Sequence, residues 1–347
     1  MNDMSHLRVG IACNIRTDDS SDAQAEFDEP GTVAAISEAL RAGGFEPIVL
    51  EASDGFLKKL ETEKPDIVFN IAEGKFGRAR EAHIPSILEY FGVPYTGSDA
   101  TALAVSLDKA LTKRVVRSLG IKTPDFFVIQ KKNNELPGFH SGYDISDLPY
   151  PVIIKPNAEG SSKGISDACV AANPAKLREI TKKAAENNRG DLLAEQYIDG
   201  REFTVGMLGN GSNLRVFEPM EIVFQKQKGL YKVYSYEVKK NYRTYIAYRC
   251  PAELTDYLKA QMVHDAKAVY EAIGCRDFAR IDFRISENGK SYLIEVNLLP
   301  GLAPEYSDFP MLAEFNGISY NNLICGILHC ALKRYRIEWN GMGRSVM

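Results

Sequence analysis

No CxxC or HxxxH pair occurs in the 347 residues, Trp appears once, and no apolar run approaches the roughly 20 residues of a membrane span. The six cysteines (Cys13, Cys169, Cys250, Cys275, Cys325, Cys330) are scattered through a chain long enough to build its own cores. Reduced, mostly buried thiols are therefore expected rather than disulfide staples. Five histidines without ligand spacing argue against a zinc site. A positive field is lacking too. With 42 Lys and Arg against 46 Asp and Glu the net charge is -4, which offers no overall attraction for nucleic acid or an anionic membrane surface and points to small-molecule substrates. The opening stretch MNDMSHLRVGIACN has neither a basic n-region nor a long apolar h-region, so a soluble cytoplasmic location is the expectation. G-x-x-x-x-G-K-[ST] is absent, and no G-x-G-x-x-G follows the first strand, which counts against a P-loop and against a dinucleotide oxidoreductase.

What is present reads as an ordinary globular chain, 45% hydrophobic and 25% charged, with room for two or three domains. The first third alternates RVGIACN, a helix near 32–42 closed by Gly43-Gly44, EPIVLEA, a helix to about Lys64, and DIVFNI. That βαβαβ pattern predicts an α/β unit on a parallel sheet, with a boundary near residue 100. Helix signals recur in IPSILEYFG and in LDKALTKRVVRSLG, where Asp108 or Ser106 supplies the cap and Gly120 the stop. Residues 131–150 are polar and rich in Gly and Pro, as a surface connection would be. A central unit follows: FFVIQ, PVIIKP, a helix over 174–187 and the strand LLAEQYI. The last part is strand-rich up to LIEVNLLP and closes with a helix over 321–335.

Within that last part, ARIDFRISENGKSYLIEVN has two period-2 segments around Asn288-Gly289, a strong signal for a two-residue hairpin turn. Counting outward from such a turn, Glu287 faces Lys290, Arg284 faces Leu293, Asp282 faces Glu295 and Arg280 faces Asn297. Arg280, Asp282, Glu295 and Asn297 then share one face, and Ile281, Phe283, Ile294 and Val296 the other. Two carboxylates directly opposite repel unless a cation lies between them, and an Asp, Glu and Asn donor set suits Mg²⁺. A solvated stripe with its carboxylates paired to Arg280 and Arg284 is the alternative.

PVIIKPNAEGSSKGI brings Lys155 to the end of a strand, followed by Gly160, Ser161, Ser162, Lys163 and Gly164. Backbone N–H groups and hydroxyls of such a loop can wrap phosphate oxygens, and the same residues also make a plain turn. Glu195 sits in an otherwise apolar strand with Glu202 seven residues later. A carboxylate there is costly without a partner, for which a ribose or adenine edge is one candidate and solvent at a sheet edge the other. Lys109, at the start of its helix, can meet a bound anion or stand in water.

Taken together and in order, FGVPYTGSDA, SLDKALTK, PVIIKPNAEGSSKGI, LLAEQYIDGREFTV, ARIDFRI and LIEVNLLPGL resemble the D-alanyl-D-alanine ligase group of the ATP-grasp superfamily, over roughly residues 65 to 335. The resemblance implies an ATP-grasp fold, α+β in its ATP-binding part, behind a Rossmann-like domain. The expected divisions are 1–100, 101–197 and 198–347. It implies ATP between the last two domains, with Lys109 and Lys155 on its phosphates and Glu195 and Glu202 at adenine and ribose. The Gly160, Ser161 and Ser162 loop would close over the γ-phosphate, helped by Lys239 of YSYEVKKNY. Asp282, Glu295 and Asn297 would ligate two Mg²⁺ ions, with Mn²⁺ as a substitute, while Arg280 and the backbone of Gly301 meet a developing oxyanion. Amino acids would be the substrates, and a pairing of two copies is what the family suggests.

Several positions depart from that family's pattern. SSDAQAEFDEPGTV stands where these ligases carry Ser-x-Glu, leaving Glu26, Asp28 or Glu29 to hold the first ammonium. FNIAEGKFGRAREAH, with Glu73 and Arg78, replaces a usual His-Gly, and Lys240 replaces a tyrosine. LAPEYSDFP leaves Tyr306 and Ser307 as approximate matches at the acceptor carboxylate. Substitutions gather at the amino-acid end, so a ligase for another amino acid is the main alternative. A catalytically silent ATP-binding protein and a bicarbonate-using carboxylase subunit are the others; no biotin-carrier sequence accompanies the latter.

Overall fold

The computed structural model describes residues 7–18, 24, 26–130, 138–139, 148–160, 167–187, 190–226, 230–235, 238 and 241–339. The first third folds as its alternation predicts: β1 (Arg8–Cys13), α1 (Pro30–Ala42), β2 (Glu46–Glu51), α2 (Phe56–Glu63) and β3 (Ile67–Asn70). The three strands pair in parallel in the order β2-β1-β3. Both faces of β1 and β3 are covered, which is why the strands read as near-continuous apolar runs. Next come α3 (His83–Tyr90), α4 (Ala100–Leu107) and α5 (Lys109–Ser118). Of the two proposed caps for α5, Asp108 is the one used, its carboxylate accepting from the Leu111 N–H at 2.9 Å. Ser106 lies inside α4, a helix the sequence reading missed.

A five-stranded antiparallel sheet, β5-β4-β8-β6-β7, is built from β4 (Phe126–Gln130), β5 (Gly138–Phe139), β6 (Val152–Pro156), β7 (Val170–Ala171) and β8 (Leu192–Gln196), backed by α6 (Pro174–Asn187). The rest is organised around a second antiparallel sheet, β12-β11-β9-β13-β14. It comprises β9 (Gly200–Leu208), with β10 (Arg215–Val216) at its side, β11 (Met220–Phe224), a one-turn α7 (Tyr242–Tyr245), β12 (Ile246–Arg249), β13 (Phe278–Ser286) and β14 (Ser291–Asn297).

Three further helices complete it: α8 (Asp256–Ile273), α9 (Asp308–Phe315) and α10 (Tyr320–Tyr335). Only the last was expected, so the final third is less strand-dominated than the sequence suggested. α8 carries full punctuation, with the Thr255 hydroxyl accepting from the Leu258 N–H and Gly274 left-handed at its end. Its buried stripe, Met262, Ala266, Val269 and Ile273, packs on β9 and β13 together with α4. α10 packs on α1, sharing a core with β1 and β3.

The hairpin differs from expectation in two compensating ways. Its connection is three residues, Glu287 to Gly289: the Ser286 N–H donates to the Lys290 carbonyl, and the positive φ of 74° falls on Gly289 and not on Asn288. Near the turn the register is therefore shifted by one, and Arg284 faces Tyr292 while Phe283 faces Leu293. A β-bulge at Ile294 then restores the count, so that Asp282 faces Glu295 and Arg280 faces Asn297. The bulge turns Ile294 off the apolar face and into the lining of the cavity described below.

Asp277 fastens this hairpin to the first sheet. Fully buried and left-handed (φ 66°), it accepts from the Gly97 N–H at 2.8 Å, from Asn210 Nδ2 at 2.7 Å and from Arg334 Nη2 at 2.7 Å. Arg334 in turn donates to the carbonyls of Tyr95 and Gly97. Removing one member of a buried pair strands the other, at a cost of about 3–5 kcal/mol. Asp277→Ala is expected to lower the unfolding free energy by about that amount. Urea denaturation checks it, and an unchanged midpoint would show that the network does not hold the sheets together.

Candidate active site

The polar face of the β13–β14 hairpin forms one wall of a cavity of about 180 Å³. Asp282 is held from three sides. Arg280 donates to both of its oxygens (Nε 3.0 Å, Nη2 2.9 Å), Asn297 Nδ2 donates at 2.8 Å, and the Thr204 hydroxyl from neighbouring β9 donates at 2.7 Å. Opposite, Glu295 meets the Lys109 ammonium at 2.8 Å. Burial alone would push the Glu295 carboxyl up, but Lys109 and Lys155 outweigh it and bring its pKa down to about 2. The stripe is thus half-buried rather than solvent-facing; Asp282 does pair with Arg280, whereas Arg284 lies beside Glu202 and not beside either carboxylate. Each carboxylate has its own cation, and Asn297, donating with its nitrogen, keeps an amide oxygen for a metal. Among the described residues no three His, Cys, Asp or Glu side chains cluster as a metal site, so a bound ion would rest on two carboxylates, an amide oxygen and groups brought by a ligand.

Lys109 is buried at the first position of α5, not solvated, and its Nζ also reaches the Glu159 carbonyl at 2.5 Å. Asn157, just past β6, accepts from the Ala110 N–H and joins the two elements. Lys155 leaves the end of β6 and meets Glu195 of β8 at 2.6 Å; Lys113 of α5 takes the other oxygen of Glu195 at 2.8 Å. The partner demanded by a buried Glu195 is therefore this pair of lysines. Burial would raise the Glu195 pKa, yet the two ammonium groups lower it. Burial brings Lys113 down to about 8 against the pull of Glu195, whereas in Lys155 burial is outweighed by Glu195 and Glu295 and the pKa is raised. Glu202 lines the same cavity 3.7 Å from Arg284, whose guanidinium lies over the Tyr197 ring, and burial raises its pKa.

At the far end, Glu26 binds Arg80 Nη2 at 2.6 and 2.7 Å and accepts from the Gly160 N–H. Glu73 and Glu81 stand nearby, both raised, first by burial. Arg78, noted from sequence, pairs with Asp108 instead. Gly301 belongs to both this cavity and a second one beyond it, whose lining includes Asp28, Tyr306 and Ser307. A Cβ at Gly301 would come within 2.7 Å of the Ser307 hydroxyl oxygen, so only glycine fits without displacing it. Arg280 is fixed a second time by Asp308, 3.4 Å away, which itself accepts from Tyr248 (2.8 Å) and Tyr234 (3.1 Å). Ser161, Ser162 and Lys239 lie outside the described residues. Arg80, Glu81, Lys113, Asp308, Tyr234 and Tyr248 were not read from the sequence. Only the charged pair in GRAREAH and the second lysine of LDKALTK gave any signal.

A model of the family described as D-ala D-ala ligase C-terminus matches residues 115–329. The chain is 33% identical to a D-alanine–D-alanine ligase of Carboxydothermus hydrogenoformans, covering 94% of this chain and 99% of that one. It is 33% identical to another from Saccharophagus degradans (85% and 87%), and 32% identical to an uncharacterized protein, y4sG, of Sinorhizobium fredii (87% of each). Its fold is similar to that of a Bacillus anthracis D-alanine–D-alanine ligase complexed with ATP. The TM-score is 0.71 at 22% identity, over 95% of this chain and 99% of that one.

The site has a cost in stability that pH can read. Burial, partly opposed by Arg16, raises Asp28 from 3.8 to about 7. Between about pH 4 and 7 the folded chain holds a proton that the unfolded chain has released, so this contribution is full at the acid end and is lost as pH rises through 7. In Asp28→Asn the fall in unfolding free energy across that window should be shallower by up to one proton per molecule. Denaturant titrations at several pH values measure it, and identical slopes would contradict the assignment.

Proposed function

The chain belongs to the D-alanine–D-alanine ligase family, and we propose on that premise that it is an ATP-dependent ligase joining the carboxylate of one amino acid to the amine of another. One observation carries this reading. A single cavity is lined by two buried lysines, an Asp-Glu-Asn donor set, an arginine and a glycine backbone. Those are the groups that phosphates, a divalent cation and a reacting carbonyl would need.

Lys109 and Lys155 would bind the ATP phosphates, each exchanging a carboxylate partner for phosphate oxygens. Glu202 and the strand around Glu195 would take ribose and adenine, and Ser161, Ser162 and Lys239 would close over the γ-phosphate. Asp282, Glu295 and Asn297 would hold Mg²⁺, two ions or Mn²⁺ in their place, which would neutralise charge on the phosphates. A substrate carboxylate oxygen then attacks the γ-phosphorus while the bond to ADP breaks, giving an acyl phosphate. This step asks the protein for position and charge rather than covalent chemistry. The second amine attacks the acyl carbon, and the tetrahedral oxyanion meets Arg280 and the Gly301 N–H. Phosphate departs, the amine proton passes to solvent, and an amide remains. Asp282 and Asp308 set the aim of Arg280 before any substrate arrives.

Glu26, Asp28, Tyr306 and Ser307 are proposed for the amino-acid end, D-alanine being the substrate in the names of the relatives. The proposed domains are residues 1–100, 101–197 and 198–347, one for each sheet in chain order. Association of two copies and a cytoplasmic location complete the reading. Tyr90 and Phe91, exposed and edge-to-face at the end of α3, offer an apolar contact, and no described helix is long and apolar enough to cross a membrane.

With ATP, Mg²⁺ and a panel of D- and L-amino acids, phosphate release above background is expected with at least one acid. Absence with all of them would remove the ligase reading. Arg280→Ala should lower kcat by roughly 10²–10³-fold. Unchanged turnover would take the oxyanion role from Arg280, and a silent nucleotide binder would show no turnover in either form.

A further inference from the structure

The cavity beyond Gly301 is the larger of the two, about 470 Å³, and adjoins the first through Glu26, Glu73 and residues 299–301. Its charges do not balance. Arg80 is engaged by Glu26 and by Glu159, 3.5 Å away, and Arg16 faces Glu29 at 3.7 Å. Asp28 and Glu73, both half-buried, line the cavity without a hydrogen bond or ion pair from their carboxylates to any described residue, Arg16 acting on Asp28 only at longer range. Glu81 of the adjoining wall is only 8% exposed and equally without a partner among them.

A carboxylate drawn even partly out of water without a partner is costly, and such groups survive where a ligand supplies the missing charge. The raised proton affinities of all three, with burial the first cause in each, agree with carboxyls that wait for a cation. A divalent metal fits poorly, since no three acidic side chains among the described residues lie close enough to share one. One α-ammonium satisfies the wall that Glu26 and Glu73 share with the reacting end. Asp28 lines only the outer cavity, where the side chain of that amino acid would extend. The volume, within the range of pockets that hold ligands of 300–1,000 Å³, also exceeds the need of a methyl side chain.

We propose that the amino acid bound beyond Gly301 carries a second ammonium on its side chain, a diamino acid of the ornithine or lysine class. Asp28 receives the side-chain ammonium, and Glu73 the α-ammonium. This inference rests on the ligase reading above and narrows its substrate.

The test measures phosphate release with Mg-ATP, alanine as common partner, and in turn alanine, norleucine, ornithine and lysine, each as both enantiomers. Norleucine matches lysine in length without its charge. A kcat/KM at least tenfold higher for ornithine or lysine than for norleucine and alanine is expected, and Asp28→Asn or Glu73→Gln should lower the lysine-to-norleucine ratio tenfold or more. Turnover in which norleucine equals lysine, or alanine alone surpasses both, overturns the proposal and leaves the ligase reading intact. If no amino acid releases phosphate, the ligase reading fails, and thermal shifts of the ATP-loaded protein decide the rest. A larger shift with lysine than with norleucine supports the cationic pocket, and equal shifts overturn it.

Discussion

Asp282 and Glu295 stand opposite each other on one hairpin, and two half-buried carboxylates at that separation repel each other unless cations lie beside them. Arg280 comes from the same strand as Asp282, while Lys109 comes from the start of α5. The second choice ties a helix from the middle of the chain to the C-terminal sheet. Lys113, four residues further along α5, reaches across to Glu195, which Lys155 also holds, in the five-stranded sheet. One short helix thus carries the charge balance of both sheets, and the cavity lies between them.

Buried ion pairs of this kind are poor sources of stability, because desolvation consumes most of their attraction. Their value here is orientation. Every cation of the central cavity is held by a carboxylate on a strand or at a helix end, so that phosphates, in the proposed function, would meet charges already in place and exchange partners instead of ordering loose side chains. The far end is built differently. Glu81 is buried, and Asp28 and Glu73 half-buried, with no hydrogen bond or ion pair to their carboxylates among the described residues, a cost that the proposed ammonium ligand would offset.

Much of this was legible in the sequence. Period-2 alternation around Asn288-Gly289 located the hairpin, and the pairing of Asp282 with Glu295 survived because a longer turn and the bulge at Ile294 cancel each other. The parallel sheet was readable because strand and helix periods alternate cleanly from Arg8 to Asn70. α8 was missed: Thr255 and Gly274 punctuate it, but its narrow apolar stripe is diluted by Lys, Gln, His and Asp. Contacts between distant elements left no local trace: Lys113 with Glu195, Asp277 with Arg334 and Asp308 with two tyrosines are set by tertiary packing alone. Glu195 shows the limit, since the sequence left it between a buried partner and solvent at a sheet edge and gave no sign of the two lysines that hold it.

The central claim is that the hairpin's donor set holds a divalent ion against ATP phosphates. Anomalous diffraction from crystals soaked with Mn²⁺ and a non-hydrolysable ATP analogue tests it directly. The account predicts a peak within bonding distance of Asp282, Glu295 and Asn297, with Lys109 and Lys155 turned toward the phosphates. A nucleotide bound with no peak at the hairpin, or with both lysines still on Glu295 and Glu195, would contradict it.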